Sequence, residues 1–204
     1  MSKKQKQSKV MKKGKLQMFG LLALFFIGVG LLVYPSFSDY WNTFHQSRVI
    51  MKYADRVSNM NKDEYARLIK EANQYNQELQ KTGIKWNMTD AEKASYNRYL
   101  DFESSGVMGY ITIPKINVEL PIYHGTSDSI LQTSIGHIEG SSLPVGGLGS
   151  HTILSGHRGL PSARLFTNLD QLAAGDTFTL TVLNETYTYE VDQIRIVAVS
   201  YTHL

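Results

Sequence analysis

Hydrophobic positions fall into three regimes along the chain. Residues 18–34, Met18-Phe-Gly-Leu-Leu-Ala-Leu-Phe-Phe-Ile-Gly-Val-Gly-Leu-Leu-Val-Tyr34, are continuously apolar and uncharged. At ~1.5 Å per residue this run makes a helix of about 25 Å, a short but usable bilayer span. Residues 38–102 are polar, rich in Lys, Glu, Asn, Gln and Tyr, with Gly83 as their one glycine and no proline, a helical composition. Within them Tyr65, Leu68, Ile69, Ala72 and Tyr75 recur at helical spacing, so one face packs on something. Asn61-Lys-Asp-Glu64 and Thr89-Asp-Ala-Glu92 each place a capping residue three positions before a glutamate, which marks helix starts. Helices are predicted near 38–58, 62–81 and 90–101, with a loop through Thr82-Gly-Ile-Lys-Trp-Asn87.

From Gly106 the period becomes that of strands. Segments 107–113, 118–123, 152–155, 177–183 and 187–197 are short, β-branched and aromatic. Asn184-Glu-Thr186 is read as the hairpin turn joining the last two, and 170–176 as a short helical turn. Pro121 marks the second segment as an edge or bulged strand. Such spacing predicts an antiparallel barrel or sandwich.

Charge refines the picture at the N-terminus. Seven lysines and no acidic residue occupy the first fifteen positions, and the first carboxylate is Asp39. This excess holds the N-terminus on the cytoplasmic side, while Tyr34, Tyr40 and Trp41 suit the opposite interface. The stretch Tyr34-Pro-Ser-Phe-Ser lacks a small-x-small cleavage pattern, so 18–34 is read as an uncleaved signal-anchor. The formal charge of +3 contains all seven lysines; taking them from 21 leaves 14 basic against 18 acidic residues. That balance favours an anionic leaflet beside the lysines and excludes a nucleic-acid partner. With no cysteine, a disulfide scaffold is also excluded.

Candidate chemistry centres on histidine. Four of the six, His124, His137, His151 and His157, fall close together, but without His-x-His or His-Glu-x-x-His spacing they do not read as a metal site. Gly146-Gly-Leu-Gly149 lacks the Gly-Lys-Ser/Thr of a phosphate loop and is assigned to turns. His157 differs by its setting, Ser155-Gly-His-Arg-Gly159 directly after a strand, where glycines allow close backbone approach and loop chemistry is common.

Three segments carry a family resemblance: Gly109-Tyr-Ile-Thr-Ile-Pro-Lys-Ile-Asn-Val-Glu-Leu-Pro-Ile-Tyr-His-Gly125, Gly136-His-Ile-Glu-Gly-Ser-Ser-Leu-Pro144 and Leu154-Ser-Gly-His-Arg-Gly-Leu-Pro-Ser-Ala-Arg-Leu-Phe166. From about Val107 to Val197 the chain resembles the sortases, specifically their pilus-assembling class C. The resemblance implies a mainly β fold: a sortase-type β-barrel over 103–204, preceded by a cytoplasmic basic arm (1–17), a single transmembrane helix (18–34) and a helical arm with a lid (35–102). It implies a cysteine transpeptidase that cleaves a Leu-Pro-x-Thr-Gly-type sorting signal and joins pilins through a lysine isopeptide bond, without a cofactor. The domain would face outward from a Gram-positive-type membrane. His157 matches the family histidine, which pairs with a cysteine thiolate and protonates the leaving amine.

The departures are equally specific. The family's cysteine ends a Thr-Leu-x-Thr-Cys strand well beyond the matched histidine, with its arginine further on, and neither occurs in these 204 residues. The resemblance therefore implies a chain truncated before the cysteine, closed by a foreign Ala198-Val-Ser-Tyr-Thr-His-Leu204, and inactive as written. Class C lids often carry Asp-Pro-aromatic; here Lys85-Trp-Asn87 stands near that place, making Trp86 the lid candidate. The alternative is a membrane-tethered β-domain that binds pilin or cell-wall partners without chemistry.

Overall fold

A computed structural model describes residues 3–102 and 104–197, with side chains from residue 17 onward. The expected break at Ala198–Leu204 lies outside the described residues.

The elements are α1 (Lys3–Ser58), α2 (Lys62–Thr82), α3 (Asp90–Tyr96), β1 (Val107–Ile113), β2 (Val118–His124), α4 (Asp128–Leu131), β3 (Ile135–His137), β4 (Leu154–Ser155), β5 (Thr177–Val182) and β6 (Glu185–Glu190). One six-stranded sheet has the order β4-β3-β2-β1-β5-β6. It forms a curled half-barrel, as the predicted barrel requires, but β2 and β3 run parallel, where an antiparallel sheet was expected.

Several expectations need correcting. The apolar run and the 38–58 helix form one helix, α1, which passes through Pro35. Proline removes one backbone hydrogen bond, and here the helix continues across that loss. Residues 17–58 include a window apolar enough to cross a membrane, and that window is not buried inside the protein. Pro121 sits in the central strand β2, opposite Tyr110, and not at an edge. Its missing N–H falls where the β3 ladder has not yet begun, since pairing with β3 starts at Ile122; the Ser134 hydroxyl takes the Pro121 carbonyl (2.6 Å). The hairpin turn is Leu183-Asn184, one residue earlier than predicted, with Leu183 at φ 52°. β6 ends at Glu190 instead of 197, and Ile194, Ile196 and Val197 are exposed. A strand pattern yields a strand only where a neighbour pairs with it.

The helical arm covers one face of the sheet. Tyr53 and Val57 of α1, Leu68 and Ala72 of α2, and Tyr96 of α3 share a core with Met108, Ile111, Leu120, Ile122 and Leu180. Both caps predicted from sequence form: Asn61 accepts the Glu64 amide, and Thr89 with Glu92 makes the full reciprocal box. Glu92 also bonds Lys85, and with the Thr89 donors this holds its carboxyl down to about 2.

Two buried polar contacts fix the arm's register. The Asn76 amide donates to the Leu143 carbonyl (3.0 Å) and accepts its N–H (2.7 Å). The Tyr53 hydroxyl donates to the Met108 carbonyl (3.0 Å) and accepts the Leu183 N–H (2.7 Å), so one phenol joins α1, β1 and the β5–β6 turn. Burial pushes that hydroxyl's pKa up. Tyr53→Phe strands a buried N–H and a carbonyl, and is expected to cost about 1–3 kcal/mol. Denaturant unfolding checks this; a midpoint unchanged from the parent contradicts it.

Candidate functional site

The site is built on the short strands β3 and β4. Gly136 pairs with Ser155 and His137 with Leu154, so β4 delivers Gly156 and His157 at the sheet edge. Gly156 is required there: a Cβ would lie 2.7 Å from both Ile135 Cγ2 and Phe166 Cδ2. The loop then turns through Gly159 (φ 80°), and Leu160 bridges to Ala163.

Contacts to the segment that follows hold the loop. The Phe166 N–H donates to the His157 carbonyl (3.1 Å), the Gly159 N–H donates to Thr167 Oγ1 (3.1 Å), and Arg158 pairs with Asp170 (3.0 Å). They fix the backbone and leave the His157 imidazole exposed, with no hydrogen bond to the described residues. Phe166 also lines an apolar trough of about 450 Å³, walled by Ile111, Leu154, Phe178, Leu180 and Tyr189. His151 lies on the same trough. His157 is not among the residues that line it; its link to the trough is the backbone hydrogen bond to Phe166.

Below this edge lies a buried network. His137 is fully enclosed, and its Nε2 faces the Ser142 carbonyl at 2.8 Å, which places the proton on that nitrogen. The Tyr96 hydroxyl lies 2.8 Å from Nδ1 and accepts the Gly125 N–H (3.2 Å). His124 spans the carbonyls of Gly106 (3.0 Å) and Tyr99 (2.7 Å). These two histidines thus tie the arm to the sheet. Among the described residues no group of three or more metal-ligating side chains converges.

Burial holds the His137 imidazole down to about 4, from an ordinary 6.5. Between these values the unfolded chain carries a proton that the folded chain lacks. Stability is therefore full above pH 6.5 and falls as the pH drops toward 4, by up to about 3 kcal/mol. Denaturant midpoints between pH 7 and pH 4 are expected to show this loss, and His137→Gln to flatten it; the same slope in both contradicts the assignment.

Trp86, the lid candidate, belongs to the segment between α2 and α3. The Lys85 N–H donates to the Gly140 carbonyl (3.1 Å), and a Cβ on Gly140 would lie 2.1 Å from the Lys85 carbonyl oxygen. The indole is 66% exposed and lines a cleft with Lys93 and Glu139, in which His157 has no part. Sequence reading missed the seats beneath the site, at Gly136, Gly140 and the His137–Tyr96 pair. No local pattern signalled them, because β3 is three residues long and Gly140 lies outside any strand.

The family described as the sortase domain matches residues 111–203. Sortase C1 of Streptococcus agalactiae is 58% identical, with 72% of this chain and 77% of that one covered and a TM-score of 0.71. The chain belongs to the sortase family. Sortase C of Clostridium perfringens, solved with the C-terminal cell wall sorting motif, is 40% identical over 73% of this chain and 76% of its own, at a TM-score of 0.62. Sortase D of Bacillus subtilis (strain 168) is 35% identical over 95 residues, 47% of this chain. The match spans 45% of that curated relative's length. Class C sortases are thus structural neighbours of this sortase domain, and the curled sheet, the His157 loop and the trough lie on a fold they share.

Proposed function

We propose that this domain is the histidine-bearing part of a class C sortase, anchored by residues 18–34 with its N-terminus cytoplasmic and its sheet outside. It acts on pilins or surface proteins that carry a Leu-Pro-x-Thr-Gly-type signal. The observation that carries this reading is the free, exposed His157 imidazole, set at the end of β4 on a loop whose backbone is otherwise fixed. In the reaction a cysteine thiolate attacks the threonine carbonyl, and the Thr–Gly C–N bond breaks. His157 gives its proton to the departing glycine amine. A lysine amine of the next pilin then attacks the thioester, gives a proton back to His157, expels the thiolate and forms the isopeptide bond. The lid in this reading belongs to the 35–102 arm, with Trp86 of Lys85-Trp-Asn87 as its aromatic.

The 204 residues hold no cysteine, so the thiolate comes from outside them. By themselves they are expected to bind a sorting signal without cleaving it. The test compares two proteins on a fluorogenic Leu-Pro-x-Thr-Gly peptide: the 204-residue chain, and a chimera that continues after Val197 with the cysteine-bearing strands of Streptococcus agalactiae sortase C1. Turnover is expected from the chimera alone. Turnover by the chain itself, insensitive to thiol reagents, overturns the proposal.

A further inference from the structure

The loop that carries His157 is docked on the same helix as the apolar run. Asp39 Oδ1 accepts the Arg164 N–H (2.9 Å), and Oδ2 pairs with Arg164 Nε (3.1 Å). One turn on, the Asn42 amide donates to the Ser162 carbonyl (2.8 Å); another turn on, Gln46 donates to the Thr133 carbonyl (2.6 Å). Between helix and loop lies a cleft of about 310 Å³, lined by Pro35, Ser36, Asp39, Leu160 and Pro161 among others. The Phe166 amide that ends this loop holds the His157 carbonyl, so a shift of the loop on α1 displaces the imidazole.

Helix geometry places this contact relative to a bilayer. A ~30 Å hydrocarbon core takes about 20 residues at ~1.5 Å each. Counted from Met18, that ends near Phe37, so Asp39 stands only about 3 Å beyond the core and Asn42 about 8 Å. The headgroup layer is roughly 5–8 Å deep on each side. The helix surface agrees: Phe37, Tyr40, Trp41 and Phe44 are all about half exposed or more. Phe37 stacks on Trp41 with ring centroids 6.3 Å apart. Exposed aromatics just past a span are residues of the membrane interface.

We propose that the 158–164 loop lies in the phospholipid headgroup layer, seated there by Asp39 and Asn42, so that the anchor helix sets the height of His157 above the membrane. Asp39 is the positioning residue. The inference rests on the reading of residues 18–34 as the anchor. It adds that the site is docked on the first turns that follow the anchor in the same helix, and is not held away from the membrane by the rest of the arm.

The chain has no cysteine, so single spin labels are unambiguous. Labels are introduced by Leu24→Cys in the apolar run, Pro161→Cys in the loop, Leu160→Cys as a second loop site, and Leu148→Cys at a fully exposed position away from the cleft. The full chain is placed in vesicles of equal parts phosphatidylcholine and phosphatidylglycerol. Collision rates with oxygen and with a water-soluble nickel chelate report depth. The loop labels are expected several-fold less accessible to nickel than the label at 148, and more accessible than the label at 24. Asp39→Ala should move the loop labels toward the value at 148 and leave 24 unchanged. If the label at 24 is open to nickel, the anchor reading fails, and this inference with it. If 24 is buried while both loop labels match 148, the anchor stands and this inference is overturned. Loop labels indifferent to Asp39→Ala overturn the positioning role.

Discussion

Replacing Gly136 with alanine is expected to unfold much of the domain, although the change adds a single methyl group. A Cβ at this position would lie 2.0 Å from the Gly125 carbonyl oxygen, 3.1 Å from its carbon and 3.2 Å from Thr126 Cα. All three are backbone atoms, so no side chain can swing aside. β3 is only three residues long, pairs with β2 through Ile122, Tyr123 and His124, and holds β4 on its other edge. Displacing it breaks both pairings, along with the His137 hydrogen bonds to Ser142 and Tyr96. Overpacking alone costs about 1–3 kcal/mol, and lost strand pairing adds to it, so the expected destabilisation exceeds ~3 kcal/mol. Gly30→Ala is the comparison, because a Cβ there meets nothing within 4 Å. Thermal melting of the two variants in detergent should separate them widely; similar melting temperatures contradict the account of β3.

This glycine shows where sequence reading runs out. Gly136 belongs to a segment that carried the family resemblance, yet nothing in its neighbours says that Gly125 passes across it. Close approach is a tertiary fact, and β3 is too short to show a period. The helices were easier to read, because the capping residues at Asn61 and Thr89 act on amides three positions away. α3 still stops at Tyr96, short of the predicted 101. The chain then turns, and Leu100 is buried at φ 62°. Residues 191–197 alternate as a strand should, but no described neighbour pairs with their isoleucines. Composition marks what a segment would do with a partner, and not whether it has one.

The site was legible at His157 because flanking glycines and a preceding strand are local features. Its support was not legible. Asp39 reads as the first carboxylate after an apolar run, with no hint that it bonds a residue 125 positions away. Likewise the sequence set His157 apart from His124 and His137 by its loop setting alone, without showing what their rings bond. Both ring nitrogens of each are occupied by hydrogen bonds in the structure, and those of His157 are not.

His151 is also exposed without a ring hydrogen bond among the described residues, so it is the loop setting after β4 that singles out His157 for the proposed role. In the proposed mechanism, carried by the chimera with the cysteine strands, His157→Ala removes the proton donor to the leaving amine and the partner of the thiolate. General acid–base catalysis alone is worth about 10²–10⁴-fold, and the lost thiolate pairing adds to it, so kcat/KM is expected to fall by at least ~10³-fold. Stability should barely change, because the imidazole is exposed and makes no hydrogen bond among the described residues. The most direct measurement is mass spectrometry of the chimera mixed with a Leu-Pro-x-Thr-Gly peptide, with and without His157→Ala, after matching melting temperatures establish that both are folded. The account predicts a thioester-linked acyl adduct that builds up in the parent chimera and is lost with the histidine. A folded His157→Ala chimera that still acylates within a few-fold of the parent rate would contradict it.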